Sequence, residues 1–141
     1  MLGFFVAAFG LWFAGNQFRQ ARRSLEATTI YNIQKQSGDL LASIAGDRDV
    51  YNYIIHYDAN ADNTALYQRA QPAIERLVQF YSTVYNQWRM GVIADVFWRS
   101  ISKEICAFFQ DPPVKRWWNE RGAKGRYNDD FKKFVGDCIG R

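Results

Sequence analysis

Histidine is almost absent from this chain: His56 is the only one. A metal site needs several converging ligands at usable spacing. Neither a CxxC nor an HxxxH pair occurs, so neither a metal site nor a bound cofactor is expected. There is no G-x-S-x-G around a serine and no glycine-rich phosphate loop, which removes two common marks of hydrolases and nucleotide enzymes. Cysteine is equally scarce. Cys106 and Cys138 are too few for a disulfide framework, and they read as two buried thiols in a reducing compartment. No segment alternates with the period of a strand, and there is no internal repeat or low-complexity tract.

What remains is apolar, aromatic and mildly basic. The 141 residues are 48% hydrophobic and 17% aromatic, with a formal net charge of +4. That is one domain's length with an extra segment, and it holds enough apolar material for a core. The basic excess suits a surface that faces anionic lipid or nucleic acid.

The extra segment is "GFFVAAFGLWFAG", Gly3 to Gly15, apolar throughout. Nothing basic precedes it, whereas Arg19, Arg22 and Arg23 follow directly. Large Trp12 and Phe13 stand where signal cleavage wants small residues, so the segment is expected to be retained. It reads as a single transmembrane anchor over residues 1–18, a short one at roughly 27 Å against a hydrocarbon core of about 30 Å. The arginines that follow it predict the N-terminus outside and the remainder cytoplasmic, at an inner membrane. Gly3, Ala7, Gly10 and Ala14 share one side of such a helix, and Gln17 and Ala21 continue the stripe. Small residues let helix backbones approach closely, so this edge is the expected self-association surface.

Residues 19–45 read as a juxtamembrane helix without proline, and 46–141 as a helical bundle of about four to five helices. Asp47 is an N-cap for "DRDVYNYIIHYD". A further helix starts near Thr64, and Pro72 either interrupts it or opens a second one. Ile74, Leu77, Val78, Tyr81, Val84, Tyr85 and Trp88 then recur at helical spacing up to Gly91, a C′ residue. Ile93, Val96, Phe97, Ile101, Ile105 and Phe108 mark the next helix, stopped by "QDPP". "VKRWWNERG" is a shorter one, and Asn128 or Asp129 caps the last. The fold class is all-α, an N-terminal transmembrane helix leading into a cytoplasmic bundle.

Two constellations carry candidate chemistry. Arg48 and His56 suggest a phosphate-holding arginine beside a proton-transferring histidine, as in helical ribonucleases that use such a pair. Seven residues lie between them, a wider gap than that pattern keeps, so they are weak catalytic candidates. "VKRWWNERGAKGR" gathers Lys115, Arg116, Arg121, Lys124 and Arg126 around Trp117 and Trp118. With Arg19, Arg22 and Arg23, the residues Lys115, Arg116, Trp117 and Trp118 are expected at a membrane surface or on another anionic partner. Nucleic acid is the lesser alternative, and the plain one is solvated charges around one core tryptophan and one half-covered.

The short apolar helix, "FRQARRS" (Phe18 to Ser24), "RMGVI" (Arg89 to Ile93), the tryptophan pair and "YNDDFKKFV" (Tyr127 to Val135) resemble a broad, uncharacterised bacterial family of small membrane-anchored helical proteins. More distantly, the plan is similar to the membrane pore accessory protein of type VI-B CRISPR systems. The resemblance implies a self-associating membrane protein, a pore or membrane-perturbing effector in antiviral defence, and supplies no catalytic residues. The alternative functions are an accessory subunit of a larger membrane complex and a divergent ribonuclease. The expected partners are the bilayer and either further copies or foreign subunits.

Overall fold

The computed structural model describes residues 2–61 and 63–140, with side chains described for 16–60 and 63–140. Its first element, α1, is one uninterrupted helix of 44 residues, Leu2–Ala45, about 66 Å long at ~1.5 Å per residue. Five shorter helices follow: α2 (Arg48–Ile55), α3 (Thr64–Arg89), α4 (Asp95–Gln110), α5 (Pro112–Glu120) and α6 (Asp129–Ile139). Single 3-10 turns lie at Ala59–Ala61 and Gly122–Lys124. The chain is all-α, with no strand among the described residues.

Local chemistry sets most of the boundaries. Asp47 accepts from the Val50 N–H at 3.3 Å, Asn63 from Leu66 at 2.8 Å and Asn128 from Phe131 at 2.7 Å, so three helices open on side-chain caps. Helix α3 closes on Gly91 at φ +73°. The Gly91 N–H bonds to Trp88 O and the Val92 N–H to Gln87 O, the paired bonds of a Schellman motif, which needs the left-handed residue that glycine supplies. Helix α4 lacks a side-chain cap of its own. Instead the Ala94 N–H at its start donates to Glu26 of α1 at 3.2 Å.

Helix α1 meets the body along one narrow seam: Glu26, Ile30, Ile33, Ser37, Leu40 and Ile44, spaced by four and three, with Ile33 and Ile44 buried. Before that seam, residues 16–25 are all exposed. The body is held by aromatic rings from four helices. Trp88 stacks on Trp98 at 4.5 Å and 9°, while Tyr85 contacts Phe131 and Phe134. Phe109 and Trp118 meet edge to face at 5.4 Å.

Several expectations need correction. Cys106 and Cys138 are not free thiols: they form a disulfide, with Cα atoms 4.9 Å apart, that joins α4 to α6. Their pairing follows from helix packing, which spacing in sequence does not show. Pro72 neither breaks α3 nor opens a second helix. It sits on the exposed side, while Tyr67, Ala70, Ala73 and Ile74 around it are buried, and that packing carries the helix through a missing backbone bond. Val96 is exposed, because α4 begins at Asp95 and turns Trp98, Ile105, Phe108 and Phe109 inward instead. Finally, among the described residues no helix is long and apolar enough to cross a membrane. Asn16, Gln17 and Arg19 end the apolar run too soon, so the transmembrane reading of 1–18 is unsupported. No break in α1 separates that segment from 19–45.

Candidate functional site

The sequence candidates fall in three places. Gln17 and Ala21 of the expected contact stripe are exposed on α1. Gly3, Ala7, Gly10 and Ala14 have side-chain positions outside the described residues. Arg19, Arg22 and Arg23 are exposed, and none takes part in the ion pairs among the described residues. Arg22 lines a shallow cleft with Leu25, Trp88 and Met90, where the α3–α4 turn approaches α1.

Arg48 opens α2 and His56 caps its C-terminus. His56 lines a cleft with Asp49, Asp58 and Arg69, but Arg48 is not on that cleft. Arg69 is already committed there: it grips Asp47 at 2.7 Å and reaches Asp49 at 3.9 Å. The hydrogen bond from Arg69, reinforced by the Val50 N–H, holds the Asp47 carboxyl below the ordinary range. Among the described residues no group of three or more His, Cys, Asp or Glu is placed to hold a metal ion.

The basic and aromatic cluster is reorganised most. Trp117 and Trp118 are each only 3% exposed, so neither ring reaches a membrane or stacks on a base. Both lie on the inward face of α5, where the helix period sets them with Val114 against the core. Arg116 is spent locally: its Nε donates to Glu120 at 3.0 Å and its guanidinium lies 3.9 Å over the Tyr67 ring. Glu120 also accepts from the Tyr67 hydroxyl at 2.6 Å. Those two hydrogen bonds, the tyrosine's first, lower the Glu120 pKa. Burial, then the bond to Glu120, pushes the Tyr67 phenol up to about 12. Lys115 stays exposed.

On the other side of α5 the same segment builds a cleft of about 490 Å³. One wall is α3, which presents Glu75, Gln79, Ser82 and Thr83 at spacings that share a helix face. The facing wall is Trp117 with Arg121, Gly122, Gly125, Arg126 and Tyr127 from the loop after α5. Gly122 lets this loop press onto the indoles: a Cβ there would lie 2.3 Å from Trp118 Cε3 and 2.9 Å from Trp117 Cζ3. Ser82 is the one buried residue with a Ser, Thr, Asn, Gln or charged side chain among the described residues. Trp117 carries a buried Nε1–H with no hydrogen-bond partner. Arg121 and Arg126 take part in none of the ion pairs among the described residues. Tyr127 has its phenol raised by burial, then by the Glu75 charge, then slightly relieved by Arg126. The phenol therefore stays protonated and available as a donor.

No family model, curated protein or solved structure matches the chain. Sequence reasoning found the arginines and Trp117 but missed Glu75, Gln79, Ser82, Thr83 and Tyr127. The polar row 75, 79, 82, 83 along an otherwise amphipathic helix was the available signal.

Proposed function

We propose that this protein is a non-enzymatic helical scaffold, tethered to a membrane by its N-terminal segment and joined to further copies of itself through the free face of α1. The observation that carries the reading is on that face. Phe18 is 76% and Leu25 58% exposed, seven residues apart, with Ala21 between them. Stepping back by sevens, the sequence puts Leu11 and Phe4 in register with the large pair, and Ala14 and Ala7 in register with Ala21. A large residue at one seam position and a small one at the other, repeated every seven, suits helices packed side by side. Gly3, Gly10 and Gln17 flank that seam. Leu25 sits one residue before Glu26, so this face points about 100° away from the seam used to hold the body.

The membrane part rests on the apolar Gly3–Gly15 run, the exposed arginines behind it and the position of the α3–α4 turn. Met90, 70% exposed, stands there beside Arg22 and Leu25, at the end of the body nearest the apolar segment. An apolar run this short enters a bilayer by local thinning or by associating with neighbours. A different feature bears on the side of the membrane. A bond between Cys106 and Cys138 favours an oxidising compartment for the helical body, opposite to the cytoplasmic placement that the arginines favour. In this reading the body lies on the oxidising side, where no cytosolic thiols reduce the bond. A pore, and a part in antiviral defence, extend this reading by resemblance alone.

Gentle detergent extraction with a mass measurement tests the proposal. The expected result is a multiple of 16.4 kDa containing only this chain, reduced to monomer by Phe18→Glu with Leu25→Glu. A wild-type monomer overturns it. Stoichiometric foreign subunits replace it with an accessory-subunit role, and RNA cleavage lost in His56→Ala replaces it with a ribonuclease.

A further inference from the structure

We infer that the cleft between α3 and the loop after α5 binds a small organic acid that also carries an ammonium group, with Arg121 and Arg126 on its carboxylates and Glu75 on its ammonium. The inference is independent of self-association and of the membrane.

Three features of the cleft point this way. The first is its charge. Arg121, Arg126 and Glu75 all line it, which leaves one net positive charge with a carboxylate close by. A dianion without a positive group meets repulsion from Glu75, and a plain cation meets two arginines. An acid with an ammonium group satisfies both. Guanidinium groups are suited to carboxylates because their N–H donors match the two oxygens in a fork.

The second is the neutral polar groups. Tyr127 keeps its proton, and both it and Ser82 line the cleft. The protonated phenol can donate to a carboxylate held between the two arginines.

The third is the construction of the wall. The loop touches the tryptophans so closely that Gly122 has no room for a methyl group. Its 3-10 turn is closed by Gly125 N–H to Gly122 O at 3.0 Å. Arg121 and Arg126 therefore project from the two ends of a turn pinned to the core. A turn fixed in this way sets the backbone positions from which both arginines reach the cleft, so no loop has to be ordered on binding.

Titration calorimetry of the full chain in mild detergent tests this, with L-glutamate and glutarate as probes. The two share their carboxylates and differ in the ammonium. Glutamate is expected to bind more tightly than glutarate, by about tenfold or ~1.4 kcal/mol. Arg121→Ala with Arg126→Ala should abolish binding of both, whereas Lys115→Ala should leave it unchanged. Glu75→Gln should reverse the preference, weakening glutamate and strengthening glutarate. These side chains are exposed, so the variants should fold, which an unchanged thermal transition confirms. The inference is overturned by no binding of either probe, by binding that survives the double arginine substitution, or by a preference that Glu75→Gln leaves as it was.

Discussion

The Tyr67 hydroxyl, near the start of α3, donates to the Glu120 carboxylate at the end of α5 across 2.6 Å. Fifty-three residues separate the two in sequence. Arg116 completes the arrangement from the ring side of the tyrosine. This contact fixes where α5 sits on α3, and so the position of the cleft behind it. Tyr67→Phe removes the donor, while the Glu120 carboxylate, 45% exposed, keeps Arg116 and water. A small loss of stability is expected, read from chemical denaturation.

The same pair sets a pH dependence at each end of the range. The folded Glu120 pKa lies below its ordinary 4.5. Its contribution is thus complete above about that pH and is lost as pH falls through the lowered value. Tyr67 titrates near 12 in the folded state against 10.0 ordinarily, so its contribution is complete below pH 10 and is lost on the way to 12. Thermal melts across pH should show both losses. Glu120→Gln should flatten the acid limb. An acid limb identical to wild type would show that other carboxylates govern it.

Reducing the Cys106–Cys138 bond frees the 32-residue separation it closes. For a loop of this size the loss is about 3–4 kcal/mol on the chain-entropy estimate. The doubly substituted Cys106→Ala, Cys138→Ala chain should be less stable by that amount in chemical denaturation, and reductant should no longer shift its transition. Alkylation of the untreated protein should find no free thiol.

Gly122→Ala places a methyl group into the Trp118 and Trp117 rings. Forcing the loop off the indoles should cost about 1–3 kcal/mol and quench-shift tryptophan fluorescence toward that of exposed indole. Unchanged emission would mean the loop gives way without disturbing the rings.

Pro72 is exposed and inside α3. A proline at a helix interior is disfavoured by about 3 kcal/mol relative to alanine, partly offset by the stiffness it gives the unfolded chain. Pro72→Ala is expected to raise stability by about 2–3 kcal/mol on these scales, measured by denaturant midpoint.

How much of this the sequence disclosed follows the range of the interactions. The cap at Asp47, a cap at Asn128 or the next residue, and the turn at Gly91 were readable, because each depends on residues within five positions. So was the order of helices, from apolar spacing. Val96 was misplaced because it shares a side of α4 with exposed Arg99, Ser100 and Lys103, while Trp98, Ile105 and Phe109 turn inward. Burial of both Trp117 and Trp118, the disulfide, and the commitment of Arg116 to Tyr67 were hidden, since their partners lie in other helices. The cleft was hidden for the same reason: Glu75 and Arg121 meet only once α5 has docked on α3.

Helix α1 has a mechanical consequence. It continues from Leu2 to Ala45 with no interruption, and Ile33 and Ile44 lock its far half into the body. It has no joint at which the two halves can swivel independently. Any torque or tilt applied near the N-terminus is therefore delivered, as by a crankshaft, to the packing around Glu26, Ala94 and the start of α4.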